Sequence, residues 1–500
     1  LGLLILLPAL GFAQAPRFLE AGECAMCHTR IPKPGASWDR DTGFIGPFHL
    51  WQNSMMAHAA VDPYWKAKVA FEVARRPEAK AEIEDHCLRC HAPAQQYPAR
   101  VAGRRLAAVQ LDALGRDGVT CTVCHQITAA NFGKTASFNG RFGIGVRGEI
   151  YGPHAGPFRM PMEHHTGLTP AVGRQVLDAA LCGTCHTALT HPAGDDHAFV
   201  EQGPFLEWLA SDYPGQGRTC QSCHMPLLRD AQGNLAAQFI AHRPPGGPFP
   251  PTAERAPFGL HRFAGANVGA LEWLAEMENE PDLREAAGLT REQLRRAARL
   301  EVTSRRTPGA LVLDVRVRNL AGHKLPTAYP SRRIWLCVRV HDRQGRMLFE
   351  SGRWDPGSGA LDAGEAARPH YAVIDRAGQV QVFESIYGDR AGRETASLLD
   401  AATHLKDNRI PPAGFRPARL AEMGLGHLAV RTVGVPETGA FGAGEAATRY
   451  RIPWSGGSSP VRVEVDLLYQ SIKPGHRPPG FAPPVSAMQP VVMASARLEG

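Results

Sequence analysis

Long apolar runs are missing from this 500-residue chain. The longest opens the sequence, in "LGLLILLPALGFAQAPRF", and falls short of the ~20 apolar residues a membrane-spanning helix needs. No membrane span is therefore expected. A polybasic run is missing too. With Lys+Arg 55 against Asp+Glu 48, the net charge is +7, which reads as a mixed solvated surface and not as a nucleic-acid footprint. Cysteine is scarce where it would matter for disulfides. Of eleven, ten fall in one repeated motif before residue 224, and only Cys337 is left over. That excludes a disulfide framework.

The opening segment resembles the apolar stretch and cleavage zone of a secretory signal, with small residues at Gly11, Ala13 and Ala15. Residues 1–15 are read as a signal peptide. No Cys stands at its end for a lipid anchor. The expectation is an exported protein, periplasmic or at the cell surface. Gly 52 and Pro 41 are high and predict much loop.

Cys-x-x-Cys-His occurs five times: "CAMCH" at 24–28, "CLRCH" at 87–91, "CTVCH" at 121–125, "CGTCH" at 182–186 and "CQSCH" at 220–224. This is the spacing of covalent haem c attachment. Two thiols become thioethers on the vinyl groups, and the next residue, His, binds iron from the proximal side. Zinc sites use Cys pairs but do not need a His after every second Cys. A redox dithiol would not recur five times outside its βαβ context. The predicted cofactor is therefore five covalent haems c. The attachment residues are Cys24, Cys27, Cys87, Cys90, Cys121, Cys124, Cys182, Cys185, Cys220 and Cys223, and the proximal ligands are His28, His91, His125, His186 and His224. No copy ends in Lys, the variant linked to some nitrite reductases. The first cysteines are 63, 34, 61 and 38 residues apart, which suggests grouping of the motifs at 87 and 121 and of those at 182 and 220. Five macrocycles within about 210 residues leave little room for a side-chain core, so the haems are expected to serve as the core.

Each iron has a second axial position. Imidazole there gives a filled, low-spin electron-transfer haem, and an open position gives a site for small-molecule chemistry. Spare histidines are His49, His58, His154, the doublet His164 and His165, His242, His261 and His323. Met55, Met56, Met160 and Met162 are read as packing residues before thioether ligands.

The segments "HAAVDPYW", "LCGTCHT", "EQGPFLEWLASDYPGQGRTCQSCHMP", "HRFAGAN" and "GHKLPTAYPSRRIWL" resemble a family of exported multihaem cytochromes c. That family is related to the nitrifier tetrahaem cytochrome that accepts electrons from hydroxylamine oxidoreductase. The likeness runs from about residue 20 to 355, and only the haem part is shared with the tetrahaem carrier. It implies distal ligands at His58, His261 and His323, with the middle segment supplying the rest. There His154 and His164 match best, with His165 as the rival.

Beyond the motifs the periodicity changes. Residues 267–300 read as a helical connector, with "LTREQ" as a helix start capped by Thr290. Then "RLEVTSR", "ALVLDVRVRN", "RRIWLCVRVHD", "RMLFESG", "ATRYRIPW" and "VRVEVDLLYQS" alternate apolar and polar residues. They predict an antiparallel β-sandwich of immunoglobulin-like size over 301–500, with Cys337 as a buried apolar residue and 355–440 as long loops. "ATHLKDNRIPPAGF", at 402–415, recurs in the family but suggests no chemical role. The fold expected is thus multidomain: a mainly helical and irregular pentahaem domain at 16–266, the connector, and an all-β domain.

The function expected is electron transfer through mostly bis-His haems, with redox partner proteins and no catalytic residues. One alternative is a reductase or oxidase of a small nitrogen or sulfur compound at one open haem. The other is a polymer-forming or adhesive cytochrome. Each ferric haem with two ionised propionates adds about −1, so the holoprotein approaches neutrality and its charge names no partner.

Overall fold

Five short helices carry the motifs, and each brings its cysteines to the wall of one shared cavity. They are α1 (Gly22–His28), α3 (Lys80–His91), α4 (Cys121–Cys124), α5 (Ala179–Gly183) and α7 (Cys220–His224); α2 (Pro63–Arg75) and α6 (Pro204–Leu209) lie between them. The computed structural model describes residues 17–31, 44–145, 148–191, 198–242, 253–428, 431–435, 441–442, 444–457 and 459–499. The segment read as a signal peptide lies outside these residues. Local chemistry starts several helices. Asp62 accepts a bond from Tyr64 N at the head of α2, with Pro63 at its first position, and Asp178 accepts from Ala180 N at α5.

The amino-terminal region is otherwise short helices, loops and two-stranded ribbons, such as Glu149–Gly152 beside Thr169–Val172. Its buried apolar residues form separate small clusters. One holds Phe18, Ala94, Val119, Val123, Ile127 and Phe142. Another holds Ile31, Ile45, Leu228, Phe258 and Leu260. Between them lies a cavity of about 2130 Å³, roughly twice the upper end, about 1,000 Å³, of an ordinary small-molecule site.

Two helices lead onward, α8 (Val268–Glu278) and α9 (Pro281–Arg296). Asn279, with φ 54°, closes α8 in the left-handed conformation that ends many helices. Thr290 does not cap a helix. It is buried inside α9, which begins at Pro281 and packs Leu283, Ala287, Thr290 and Leu294 along one face. Pro at the first helical position outweighed the Thr signal.

The carboxy-terminal region is β-rich. One sheet pairs β1 (Ala298–Thr307), β2 (Ala310–Asn319) and β7 (Glu445–Pro453) antiparallel. The other contains β3 (Arg333–Asp342), β4 (Met347–Ser351), β5 (Val382–Gly388), β6 (Thr403–Asp407), β8 (Val461–Gln470) and β9 (Val491–Glu499). β8 takes one edge of β3, while β5 and β4 share the other. Side chains from both sheets, among them Leu313, Val315, Tyr450, Leu336, Val338 and Val465, meet α8 and α9 in one continuous core. Cys337 is buried on the opposite face of β3, against Trp335, Val382 and Leu468, and burial pushes its thiol up to about 12.

Three strands depart from the expected pattern, and one of them, β6, lies like β5 within the stretch 355–440 read as loop. β5, "VFESIYG", lies within the stretch read as loop. All seven of its residues are buried, so it shows no polar face and no alternation. β9 alternates but lies at the chain end, after a Pro-rich stretch that masked it.

The two regions meet along α2. Tyr64 Oη donates to the His476 carbonyl (2.9 Å), Lys68 Nζ to the Ala396 carbonyl (2.9 Å), and Ser397 Oγ to Glu72 Oε2 (2.7 Å).

Candidate haem-binding cavity

The spacing of the motif explains its orientation. In a helix, residues three and four apart share a face, so both thiols and the following His turn the same way. All ten motif cysteines and all five motif histidines line the cavity. The cysteines form no disulfide. Burial pushes the Cys87 and Cys124 thiols up to about 12. Among the described residues no three His, Cys, Asp or Glu side chains converge as a metal cage. The donor set therefore fits thioether attachment and not a zinc knuckle.

The motif imidazoles are held by the backbone. Four of the five motif histidines place Nδ1 against a backbone carbonyl: His28 on Ile240 (2.5 Å), His91 on Ala59 (2.8 Å), His125 on Tyr151 (2.6 Å) and His224 on Ala264 (2.7 Å). A carbonyl only accepts, so Nδ1 carries the proton and Nε2 keeps its lone pair. Burial pushes His91 and His186 down to about 4 and also lowers His28, His125 and His224, which keeps these rings neutral and able to ligate. Trp65 stacks on His91, with ring centres 4.5 Å apart and planes 13° apart, and so fixes its rotation.

Two spare histidines lie near motif histidines with their ring planes almost parallel. His261 and His125 have ring centres 6.2 Å apart and planes 16° apart, and His323 and His224 have 6.3 Å and 20°. An imidazole nitrogen sits about 2.0 Å from a bound metal, so two imidazoles that held one iron between them would have ring centres about 6 Å apart, and these two pairs have the spacing to do so. Both spare rings also hold Nδ1 on carbonyls, His261 on Gly259 (3.1 Å) and His323 on Lys324 (2.9 Å). Burial pushes His261 down to about 3 and lowers His323.

The other spare histidines are placed differently. His154 and His165 line the cavity, whereas His58 and His164 do not. His58 bonds Nδ1 to the Ser54 carbonyl (3.0 Å) and turns Nε2 toward Glu278 Oε2, 3.6 Å away. His164 is exposed. His165 brings Nε2 to the Glu23 carbonyl (3.2 Å) and carboxylate (3.4 Å). His49 and His242 also reach the wall, as does His86, which the sequence reading passed over. It directly precedes Cys87, and only its burial distinguishes it.

Cysteines of different motifs lie side by side. The thiol of Cys24 is within hydrogen-bonding reach of Cys121, that of Cys90 of Cys185, and that of Cys182 of Cys220. Cys90 Sγ is 4.0 Å from the Cys185 carbonyl. The spacing along the chain had grouped 182 with 220, which these contacts also join. It had grouped 87 with 121, whereas the thiol contacts join the second motif to the fourth and the first to the third. Chain separation does not fix neighbours when loops this long connect the helices.

Residues 23–126 match the family described as cytochrome c554 and c-prime. No curated protein matches the chain. Among solved structures, it is similar to a penta-heme cytochrome c552 from Thermochromatium tepidum, with a TM-score of 0.59 and 18% identity, covering 96% of this chain and 98% of that one. A likeness over nearly both whole chains at so low an identity shows the fold. The chain has the fold of a multihaem cytochrome c: a haem-motif region of mixed helices followed by a region of antiparallel sheets.

Proposed function

We propose that this chain is an exported electron-transfer protein carrying five covalent haems c. The observation that carries the reading is the pair of facing imidazoles, His125 with His261 and His224 with His323, at 6.2 and 6.3 Å. Haem c, when bound, supplies a one-electron iron couple. The chain's residues do the rest. Cys24, Cys27, Cys87, Cys90, Cys121, Cys124, Cys182, Cys185, Cys220 and Cys223 anchor the rings, while His28, His91, His125, His186 and His224 supply the proximal nitrogens. Carbonyls orient those imidazoles, and the apolar wall excludes water. His261 and His323 would complete two irons, and His154 and His165 are the other candidates implied by the resemblance that lie on the wall, beside His49, His86 and His242.

The thiol contacts support an order of sites: first motif to third, second to fourth, fourth to fifth. Cys124 also lies near Cys182 and Cys185, which joins the third to the fourth. The fourth motif is then the junction. Redox proteins outside the cell membrane are the partners this reading requires. The test is EPR of the oxidised holoprotein with carbon monoxide added to the reduced form. Low-spin signals throughout and no carbon monoxide shift are expected; a substantial high-spin, carbon monoxide-binding fraction sinks the pure carrier.

A second reading, reduction or oxidation of a small nitrogen or sulfur compound, draws on one observation. The wall near Cys87 carries Glu72 and Glu201, with Tyr64, Lys68 and Tyr329 beside them, and burial pushes Glu201 up to about 7. Such groups deliver protons. Carbon monoxide binding confined to the haem on His91 would favour this reading.

A further inference from the structure

The segment at 402–415, "ATHLKDNRIPPAGF", acquires a role in three dimensions. It leaves β6 and crosses to the haem-motif region, where the Ala413 carbonyl accepts from Asp212 N (3.0 Å). On the way Ile410 pairs with Leu325 through two backbone bonds of 2.9 Å. Leu325 belongs to the loop at 319–327, which carries His323.

That loop is held from both regions. Tyr213 Oη donates to the Leu320 carbonyl (2.7 Å). Asn319 Nδ2 donates to the carbonyls of His323 (2.7 Å) and Ile410 (2.9 Å). Glu207, from α6 beside the fifth motif, accepts on Oε2 from Lys324 N (3.0 Å) and Thr327 Oγ1 (2.5 Å). Arg409 Nη1 lies 3.0 Å from Glu207 Oε1, off the line of a hydrogen bond. Arg409 also grips Asp407 with two bonds of 2.8 Å, and Lys324 Nζ donates to Asp407 Oδ2 (2.6 Å). Two cations and two anions thus meet with almost no solvent contact. Burial alone would raise the Asp407 carboxyl, but Arg409 and Lys324 hold it well below the usual carboxylate range.

We propose that Glu207, Asp407 and Arg409 are positioning residues that hold His323 in line with His224. The proposal rests on the reading of these two histidines as an axial pair. Glu207 grips the amide of the residue next to His323, so a shift of its carboxylate passes to the imidazole through one residue of backbone. The rigid guanidinium fork of Arg409 admits few alternative geometries. Removing the charge of one member leaves the buried cluster unbalanced, and movement of the loop toward water would relieve it. A latch that only joined the two regions would need no contact with the amide beside the ligand.

The test uses the haem-loaded full chain in four forms: unaltered, His323→Ala, Glu207→Gln and Arg409→Lys. EPR of the oxidised proteins and potentiometric titration are the readouts. His323→Ala converts one haem to high spin. Glu207→Gln and Arg409→Lys convert part of that same haem, shift its midpoint potential, and return to low spin when imidazole is added. Fully loaded latch variants with unaltered spectra and potentials overturn the proposal while the axial pairing stands. An unaltered spectrum for His323→Ala removes the pairing, and the latch with it. Should the charge variants fail to load haem, Thr327→Val keeps all four charges and removes one bond to Glu207. The same partial loss of one low-spin signal is expected, and its absence overturns the proposal.

Discussion

In the carboxy-terminal region, Leu313, Val315, Leu336, Val338 and Val465 join with α8 and α9 in one uninterrupted core. The amino-terminal region has scattered clusters of five to seven of its own buried apolar residues around a 2130 Å³ cavity, one of them joined by Leu420, Leu425 and Leu428. The first carries its cohesion in its own side chains. The second has its chemistry pointed inward, and its cohesion depends on what the cavity holds. The difference shows why one region has clear periodicity and the other has little.

The largest effect that would break this contrast concerns haem loading. In protein made without haem attachment, limited proteolysis should degrade residues 17–266 and spare a fragment containing β1 to β9. Equal resistance of both regions would refute the contrast. Next comes Leu336→Ala in the continuous core, where Leu336 is fully buried. A stability loss of about 2–5 kcal/mol is expected in denaturant titration, with haem spectra unchanged in the folded protein.

Glu201 offers a pH test of similar size. Burial raises its pKa from 4.5 to about 7, so the folded state holds a proton the unfolded state has released. Stability from this group is full below pH 4.5 and is lost as pH rises through 7, by about 3 kcal/mol. Glu201→Gln should flatten that slope in denaturant titrations at pH 5 and pH 8, and an unchanged slope would remove Glu201 as its source. His261→Ala should cost little stability but turn the haem on His125 high-spin by EPR, leaving the β region unaffected. The smallest effect is Asp400→Asn at the half-exposed contact with Arg75 and Arg76, where about 1 kcal/mol or less is expected in thermal denaturation.

The motif cysteines and histidines were legible because covalent attachment demands a fixed local spacing. The strands from 298 to 351 were legible because alternation follows burial on one face. β5 was not, since it is buried on both faces. Of the spare histidines, His261 and His323 were named from resemblance, and their partners required the fold. The doublet at 164 and 165 was ambiguous in the sequence because adjacent residues differ only in where the helix points them, and only His165 lies on the wall. Asp407 and Arg409 stood in a conspicuous segment, yet their contacts with Glu207 and Lys324 span up to 202 residues, a distance no local pattern reports.

His323 is separated from Cys220 by about a hundred residues, and Asp407 and Arg409 follow later still. Chains are made from the amino terminus. The five motifs therefore all emerge before the loop that carries His323, and long before Asp407 and Arg409. A chain cut short between 324 and 409 would carry every attachment motif, both imidazoles and Glu207, yet lack Asp407 and Arg409.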